Sequence, residues 1–359
     1  MKTNVLHIID SLKTGGAETI AVNTVNVLNK SNNVNAYLCA TREEGTLINS
    51  IDNHSNYIFL KKRRTFDVKA LKLLRAYIKE NEIDIIHAHS TSFFIACLIK
   101  LRLNNLKVIW HNHSGANKEI GGKKLWIIKR CSRLFSAIIN VNDSLNNWSK
   151  NQLGFANSFK LNNYADPNLQ YQITNLKGQS TIKIVCVAGF RKEKDHLTLL
   201  KAFKELLSFH PQSSLHLIGK DYHDDYSNSI KSFIKHENLF DKVFLYGNVK
   251  DVFNVLKQAS IGVLSSNSEG LPISLLEYGL AQLPVVITNV GDCSKVIDHG
   301  RSGLLVEKES KSEFAKALKL LIDSPHKREM FGKELKQNVD ENYSKEKYIN
   351  NLLIIYNSL

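Results

Sequence analysis

Short apolar runs alternate with longer amphipathic stretches along all 359 residues of the chain. Such apolar runs predict buried parallel strands, and the amphipathic stretches between them predict helices. Two successive rounds of this alternation predict an α/β protein with two doubly wound, Rossmann-like domains. The predicted strands are Val5–Ile9, Val34–Ala40, Ile83–His87, Leu106–Trp110, Ala137–Val141, Ile182–Ala188, Ser214–Ile218, Val243–Tyr246, Ile261–Leu264 and Val285–Ile287.

The helical stretches and one polar segment indicate where the domains end. The polar segment Asn157–Gly178 is the predicted linker, which gives a first domain over residues 1–165 and a second over residues 166–344. We expect the C-terminal helix, residues 345–359, to complete the first domain. The parallel sheets of such a pair are expected to face each other across a cleft, with the ligand at the carboxyl ends of the strands. The predicted helices are Thr19–Leu28, Lys69–Glu80, Leu197–Leu207, Ser229–Glu237, Val252–Gln258, Ile273–Ala281 and Lys345–Tyr356.

Composition excludes several classes of protein. No apolar run approaches the ~20 residues that a membrane-spanning helix needs, and Val5–Ile9 is too short for a signal peptide. The five cysteines are scattered without a Cys-x-x-Cys pair, so we expect neither disulfides nor a zinc site. We therefore expect a soluble, cytoplasmic protein.

The net charge of +14 belongs almost entirely to the first half of the chain. Residues 1–165 hold 23 Lys and Arg against 11 Asp and Glu, which leaves +12, whereas residues 166–359 hold 25 against 23, which leaves +2. Such an excess predicts an anionic partner for the first domain. The aromatic residues do not interleave with the basic clusters as a nucleic-acid stacking platform requires, so no nucleic acid is expected.

A membrane surface is the anionic partner that the pattern favours. On a helix over residues 123–135, four cations share one arc with a tryptophan, which suits the interface of a bilayer with anionic headgroups. A solvated helix face, with the tryptophan packed on a neighbour, would explain the pattern as well. The arc consists of Trp126 with Lys123, Lys129, Arg130 and Arg133.

The segment Ser265–Pro272 follows an apolar strand and precedes an apolar helix. Gly270 lets the backbone approach a ligand, Pro272 suits the first helical position, and the start of the helix offers free N–H groups to an anion. Glu277 lies eight residues after Glu269, about two helical turns on, so the two carboxylates can face one site and bind vicinal hydroxyls of a sugar. A capped helix with two surface glutamates is the alternative.

The first half offers weaker candidates. Gly15 and Gly16 follow the first strand without completing a Gly-x-Gly-x-x-Gly fingerprint, so they predict either a close approach of phosphate or a plain turn. His113 ends a strand, where a structural histidine is common. We interpret His87 and His89 as facing opposite sides of their strand, and therefore predict no metal site.

These residues also resemble those of a known family. The segment from Gly247 to Val306 resembles the C-terminal domain of the retaining glycosyltransferases of family 4, which have the GT-B fold. It contains "EGLPISLLE" from Glu269 to Glu277, then Pro284-Val285-Val286, Gly291 and Gly303-Leu304-Leu305-Val306. Residues 184–203 are similar to the family's phosphate-binding strand, loop and helix, and residues 15–18, 87–89 and 111–113 match more loosely.

The resemblance implies a role for each candidate. Glu277 would hold the ribose hydroxyls of a nucleotide sugar, and Glu269 would contact the transferred sugar. Arg191 and Lys194 would neutralise the diphosphate, and His113 would lie near the donor sugar. The remaining donor-binding candidates are Gly15, Gly16, Gly247, Val249, Gly270, Leu271 and Pro272. No Asp-x-Asp triplet occurs in the sequence, which agrees with metal-independent chemistry and no cofactor beyond the nucleotide sugar.

Two positions depart from the family pattern. Tyr278 follows Glu277 where the family often has alanine, and Lys295 stands where a glutamate is common.

The resemblance implies a retaining, metal-independent glycosyltransferase that uses a nucleotide sugar, UDP-linked by expectation. Its acceptor would be a glycan or lipid-linked glycan in the synthesis of bacterial capsule, exopolysaccharide or lipopolysaccharide. The alternatives are a nucleotide-sugar epimerase of the same fold and a catalytically silent, glycan-binding partner subunit.

Overall fold

The computed structural model describes residues 2–31, 33–113, 121–166 and 173–359. The chain divides into two compact units, of which the first comprises Met1–Asn163 with Glu346–Leu359 and the second comprises Tyr164–Lys345. Within the described ranges, no helix has both the length and the apolar character needed to span a bilayer. All five cysteines are buried and free.

The first unit contains a parallel seven-stranded sheet with the order β3-β2-β1-β4-β5-β6-β7. Its strands are β1 (Thr3–Ser11), β2 (Val34–Glu43), β3 (Tyr57–Phe59), β4 (Ile85–His89), β5 (Lys107–Asn112), β6 (Ala137–Asn140) and β7 (Ser158–Lys160). Its helices from the N-terminal part of the chain are α1 (Gly16–Asn29), α2 (Val68–Glu80), α3 (Phe93–Lys100), α4 (Gly122–Ser132) and α5 (Asp143–Leu153). The strand order reverses between β1 and β4, which is the position where open α/β sheets bind ligands.

The two faces of this sheet differ in polarity near its centre. Side chains alternate between faces along a strand, and the even-numbered residues of β1, β4 and β5 join the apolar cluster with α2, α3 and α4. The odd-numbered residues of the same strands include four fully buried histidines. They are His7, His87, His89 and His111.

The second unit contains a parallel six-stranded sheet with the order β10-β9-β8-β11-β12-β13. Its strands are β8 (Ile182–Val187), β9 (Ser213–Ile218), β10 (Val243–Gly247), β11 (Ile261–Leu264), β12 (Val285–Thr288) and β13 (Leu304–Val306). Its helices are α6 (His196–Leu207), α7 (Asp225–His236), α8 (Val252–Lys257), α9 (Ile273–Leu280), α10 (Cys293–Val296), α11 (Lys311–Asp323) and α12 (Pro325–Asn342), and the chain ends with α13 (Lys345–Asn357). Here the strand order reverses between β8 and β11, so the loops after these two strands lie at the ligand-binding edge.

The predicted α/β class with two doubly wound parallel sheets is confirmed, while several predicted bounds are wrong. The predicted linker Asn157–Gly178 includes β7, which pairs with β6, and residues 167–172 of it lie outside the described residues. The short edge strands β3 and β7 were missed because neither is a fully buried apolar run. Helix α7 begins four residues before the predicted Ser229, because Asp224 caps it by accepting a hydrogen bond from the backbone N–H of Ser227.

Candidate functional site

Two loops of the second unit are joined by hydrogen bonds at the carboxyl edge of β8 and β11. The Ser265 hydroxyl donates to the backbone carbonyls of Lys194, at 3.0 Å, and Asp195, at 2.9 Å. The backbone N–H of Asn267 donates to the Glu193 carbonyl at 2.8 Å. These hydrogen bonds hold together the two candidate segments identified from the sequence.

Lys194 and Glu269 form an ion pair at this edge. The Lys194 ammonium lies 2.6 Å and 2.8 Å from the two Glu269 carboxylate oxygens, and the Ser266 hydroxyl donates to the same carboxylate at 2.6 Å. The Glu269 side chain is only 8% exposed and that of Lys194 is 23% exposed, so water screens the pair weakly. A lysine ammonium has three N–H donors, so one remains beyond the two given to Glu269. The pair thus offers a positive group and an oriented carboxylate to a ligand.

Glu277 lies on α9 with its carboxyl group unsatisfied. Among the residues that the structure describes, none donates a hydrogen bond to this carboxyl or forms an ion pair with it. Burial raises the pKa of Glu277 to about 7, because the ionised form loses hydration without gaining a partner. Glu277 is partly buried, so a ligand that donates hydrogen bonds to its carboxyl would replace the water that reaches it.

The segment Gly270–Pro272 connects Glu269 to α9. Leu271 is buried, and α9 begins at Ile273 as predicted, with Pro272 as its N-cap residue rather than at the first helical position. The backbone N–H of Asp292 donates to the Gly270 carbonyl at 2.8 Å. Gly291 has φ +59 and its Cα lies against the backbone of Glu269 and Gly270, so a side chain there would collide. The loop that contains Gly291, which is part of the family resemblance, therefore packs against the backbone of the Glu269 loop.

Arg191 has a neighbour that the sequence did not reveal. Its guanidinium donates to the Tyr222 hydroxyl at 2.9 Å and 2.6 Å and lies 5.0 Å from the centre of that ring. The Lys220 ammonium lies 4.6 Å from the centre of the same ring, so two cations share one tyrosine after β9. Lys220 and Tyr222 were missed because they precede α7 without any motif. The Arg191 side chain is 53% exposed and 3.9 Å from Glu193.

Two of the donor-binding candidates, Gly247 and Val249, lie at the end of β10 and in the turn that follows it. Gly247 has φ +65, which favours glycine, and its carbonyl accepts a hydrogen bond from the backbone N–H of Gly219 at 2.9 Å. Val249 is partly buried against the core of the second unit.

Both departures from the family pattern have a structural explanation. The Tyr278 ring is fully buried, and its hydroxyl accepts from the Val187 N–H at 2.8 Å and donates to the Val263 carbonyl at 3.1 Å. Gly262 makes room for this ring, because a Cβ there would lie 2.8 Å from it. Lys295 forms an ion pair with Asp292 at 2.8 Å on the Gly291 loop.

In the first unit, Gly15 and Gly16 begin α1. Gly15 is the N-cap residue, with extended backbone, and as a glycine it has no side chain to cap the N–H groups of the first turn. A Cβ at Gly15 would collide with the Glu18 carboxylate, which lies over the start of the helix.

His113 belongs to a cluster of five histidines, four of which sequence reasoning left without a role. The interpretation that His87 and His89 face opposite sides was wrong, because side chains two residues apart in a strand project from the same face. Their rings stack with centroids 4.6 Å apart. His7 lies beside His87 and His111 beside His89 in the parallel register, which completes the cluster. All five histidines have odd numbers on or directly after strands that pair in register, and this pattern in the sequence could have predicted that they share one face of the sheet. Residues Ser114 and Gly115, which follow His113, lie outside the described residues.

The cluster has the donor atoms of a metal site but the spacing of hydrogen bonds. Two sets of three, His7/His87/His89 and His89/His111/His113, bring one ring nitrogen each within 4.8 Å of the others. The closest ring nitrogens, however, are 2.9–3.0 Å apart in pairs, which is the separation of two nitrogens sharing a proton. Two imidazoles bound to one zinc at ~2.0–2.1 Å in tetrahedral geometry would lie farther apart.

The cations predicted to face a membrane are exposed on or next to α4. Trp126 is 60% exposed with the Arg130 guanidinium 5.1 Å from its ring centre, and neighbouring Ile127 is 37% exposed. Helix α4 ends at Ser132, so Arg133 is its exposed C-cap and not part of a longer helix. Lys123 and Lys129 are exposed.

Comparison with known proteins identifies relatives over both units. The family model "Glycosyltransferase Family 4" matches residues 14–158, and "Glycosyl transferases group 1" matches residues 171–338. The O-antigen biosynthesis glycosyltransferase WbnH of Escherichia coli is 26% identical over 345 residues, which cover 95% of this chain and 97% of WbnH. The UDP-Gal:alpha-D-GlcNAc-diphosphoundecaprenol alpha-1,3-galactosyltransferase of Escherichia coli is 24% identical over 278 residues, covering 72% of this chain and 71% of that protein.

A solved structure matches over the whole length. Anabaena HepE in complex with UDP and glucose has a TM-score of 0.86 at 15% identity, covering 99% of this chain and 100% of that one. This likeness shows the fold, and the two family models together span most of both units. The chain therefore belongs to glycosyltransferase family 4 and has the GT-B fold.

Proposed function

We propose that this protein is a retaining glycosyltransferase that transfers a sugar from UDP to a glycan or lipid-linked glycan in the synthesis of a bacterial surface polysaccharide. The observation that carries the proposal is the Glu277 carboxyl, which has no partner among the described residues and lies on α9, the helix that follows the loop of the Lys194–Glu269 pair. Ribose hydroxyls supply the donors that this carboxyl lacks. UDP is the nucleotide bound to HepE, and a UDP-sugar and a lipid diphosphate occur in the name of the galactosyltransferase relative.

The charges at the Glu269 edge suit departure of a nucleoside diphosphate. Negative charge develops on the leaving phosphate as the bond from C1 of the sugar breaks, and fixed cations stabilise that charge. Lys194 retains one N–H donor beyond its bonds to Glu269, and the Arg191 guanidinium donates to the Tyr222 hydroxyl. In a front-face displacement the acceptor oxygen bonds to C1 and its proton passes to the leaving phosphate, so retention needs no protein nucleophile. Two cations in place of a metal ion are the basis for proposing metal-independent transfer, which full activity in excess EDTA would support.

The donor assay uses matched variants of the same chain. Each protein is incubated with UDP-, GDP- or ADP-linked sugars and a lipid diphosphate-linked sugar as acceptor. Two quantities are measured: the release of nucleoside diphosphate and the anomeric configuration of the product. We expect UDP release that Glu277→Gln and Lys194→Ala reduce at least tenfold. The exposed pair Lys333–Glu329, with nitrogen and oxygen 2.6 Å apart, supplies the controls Lys333→Ala and Glu329→Gln. Isomerised donor without acceptor would instead show an epimerase, and an inverted product would overturn retention.

We propose further that the basic face of the first unit docks on an anionic membrane. Helices α2 and α4 both contact α3 on one face of the sheet, and exposed apolar side chains accompany their cations. Phe66 is 66% and Val68 65% exposed at the start of α2, after a basic run in which Lys62 is buried. Each exposed cation near an anionic surface contributes ~1 kcal/mol.

Flotation with phosphatidylglycerol vesicles at physiological salt tests this docking. We expect wild-type protein to float and Trp126→Ala to float less. Phe240→Ala is the control, since Phe240 is also 60% exposed but lies in the second unit. Failure of the wild type to float, or equal loss with both variants, would overturn membrane docking without affecting the transferase proposal.

A further inference from the structure

Five histidines and one tyrosine of the first unit form a single chain of hydrogen bonds. Four of the histidines and the tyrosine are at most 5% exposed, and His113 lies at the less buried end. The links are His113 Nε2 to His89 Nδ1 at 2.9 Å, His89 Nε2 to His7 Nδ1 at 3.0 Å, His7 Nε2 to Tyr356 Oη at 3.2 Å, Tyr356 Oη to His87 Nδ1 at 2.6 Å and His87 Nε2 to His111 Nδ1 at 3.0 Å.

Every ring in this chain is neutral. Burial lowers the pKa of His7 and of His113 to about 3 and holds the pKa values of the other three histidines well below 6.5. A neutral imidazole has one N–H donor and one nitrogen that accepts. Each link therefore has one donor and one acceptor, and a ring that accepts on one side must donate on the other.

Tyr356 links the two halves of this chain of hydrogen bonds and keeps the donor-to-acceptor direction the same on both sides. Burial raises the pKa of its phenol well above 10, so it keeps its proton and donates to one histidine while accepting from the other. A phenol that accepted from both would leave its own O–H unsatisfied in the interior, which is costly. The orientation of one link consequently fixes the tautomer of all five histidines.

The far end of the chain decides that orientation. His111 Nε2 is buried and has no hydrogen-bond partner among the described residues. A buried N–H without an acceptor is rarer in proteins than a buried acceptor without a donor. His111 Nε2 therefore carries the lone pair and His111 Nδ1 the proton. Following the links, each ring donates from Nδ1 and accepts at Nε2, and Tyr356 donates to His7.

We propose that this chain holds His113 as the Nδ1–H tautomer, and that Tyr356 is a positioning residue for it. His113 then accepts from His89 at Nε2 and presents the Nδ1–H, outside the chain, as a hydrogen-bond donor. A neutral donor of this kind suits a hydroxyl oxygen of the transferred sugar and neither gains nor loses a proton. This catalytic consequence rests on the proposed function, whereas the tautomer does not.

Imidazole nitrogen NMR of protein labelled with ¹⁵N-histidine tests the tautomer without any substrate. We expect all five histidines in the Nδ1–H form, opposite to the preference of free histidine, and no protonation between pH 6 and 8. In Tyr356→Phe, which removes one oxygen and retains the ring, we expect mixed tautomers at His7, His89 and His113. Tyr348→Phe is the control, because Tyr348 is a buried tyrosine of α13 outside the chain.

Three results would overturn the proposal. They are an Nε2–H signal from any of the five rings in the wild type, tautomers unchanged in Tyr356→Phe, and a stoichiometric metal ion found by elemental analysis. The kinetic readout is separate: Tyr356→Phe should lower kcat/KM for the nucleotide sugar about tenfold and leave UDP affinity unchanged. An equal loss of UDP affinity would indicate a structural role only, and failure of transfer by the wild type would count against the proposed function while leaving the NMR result intact.

Discussion

Burial leaves the Glu277 carboxyl with a pKa of about 7, so its charge changes near neutral pH. If ribose hydroxyls donate to the ionised form, UDP binding requires loss of this proton, and affinity should weaken below pH 7 by up to about tenfold per pH unit. In Glu277→Gln this part of the pH dependence disappears. Titration calorimetry with UDP between pH 6 and 8 checks it. An unchanged pH profile in the variant would contradict a ribose-binding carboxylate.

The same substitution should raise stability while it weakens binding. The folded pKa of Glu277 lies above the ordinary value of 4.5, so ionisation opposes folding, and this cost grows as pH rises from 4.5 to 7 and is complete above it. We therefore expect Glu277→Gln to raise the Tm of the ligand-free protein at pH 8 and to raise it less at pH 6. Glu329→Gln, which removes an exposed ion pair, should not raise Tm at either pH. A lower Tm for Glu277→Gln at pH 8 would contradict an unpartnered carboxyl.

At the scale of elements, Tyr278 of α9 and Gly262 of β11 pack as a pair. Gly262→Ala would place a methyl group 2.8 Å from the fully buried ring, and such overpacking costs ~1–3 kcal/mol. In a Tyr278→Leu background the same substitution should cost less, since the clash is gone. Urea unfolding of the four proteins in this double-mutant cycle measures the coupling. Additive effects would show that the ring can move away from β11.

Elements with a strong pattern could be predicted from the sequence, and those without one could not. Strands β8 and β11 and helix α9 have apolar patterns, and the motif between Glu269 and Glu277 located the edge of the sheet. The contact of Arg191 with Tyr222 could not be predicted, because it depends on how the turn after β9 packs. The chain of hydrogen-bonded histidines was missed because His87 and His89 were placed on opposite faces of their strand. Tyr356 could not have been assigned to it, since a contact between residues 269 positions apart follows only from the fold.

At the scale of the molecule, the two units should respond differently to acid. The five neutral histidines of the first unit bind fewer protons folded than unfolded, so its stability is lost as pH falls below about 6.5. Each contributes up to ~1.4 kcal/mol per pH unit. In the second unit, His196 and His216 act in the same direction, but the raised pKa of Glu277 opposes them.

Hydrogen exchange followed by mass spectrometry resolves the units within one chain. Between pH 7.5 and 5.5, after correction for intrinsic exchange, amides of β1, β4 and β5 should lose protection while those of β8, β11 and β12 retain most of theirs. The acidic residues with lowered pKa values, such as Asp251, lose their stabilising effect only at lower pH and do not interfere. Equal loss of protection in both units would contradict a histidine origin.

The proposed function requires the second unit to bind a nucleoside diphosphate through Glu277. Its most direct test is calorimetric titration of wild type, Glu277→Gln and Glu329→Gln with UDP, GDP and ADP at pH 8. We expect UDP to bind the wild type and Glu329→Gln equally and to bind Glu277→Gln at least about tenfold more weakly, because charge-assisted hydrogen bonds are lost. Absence of nucleotide binding by the wild type, or affinity that is unchanged in Glu277→Gln, would contradict it.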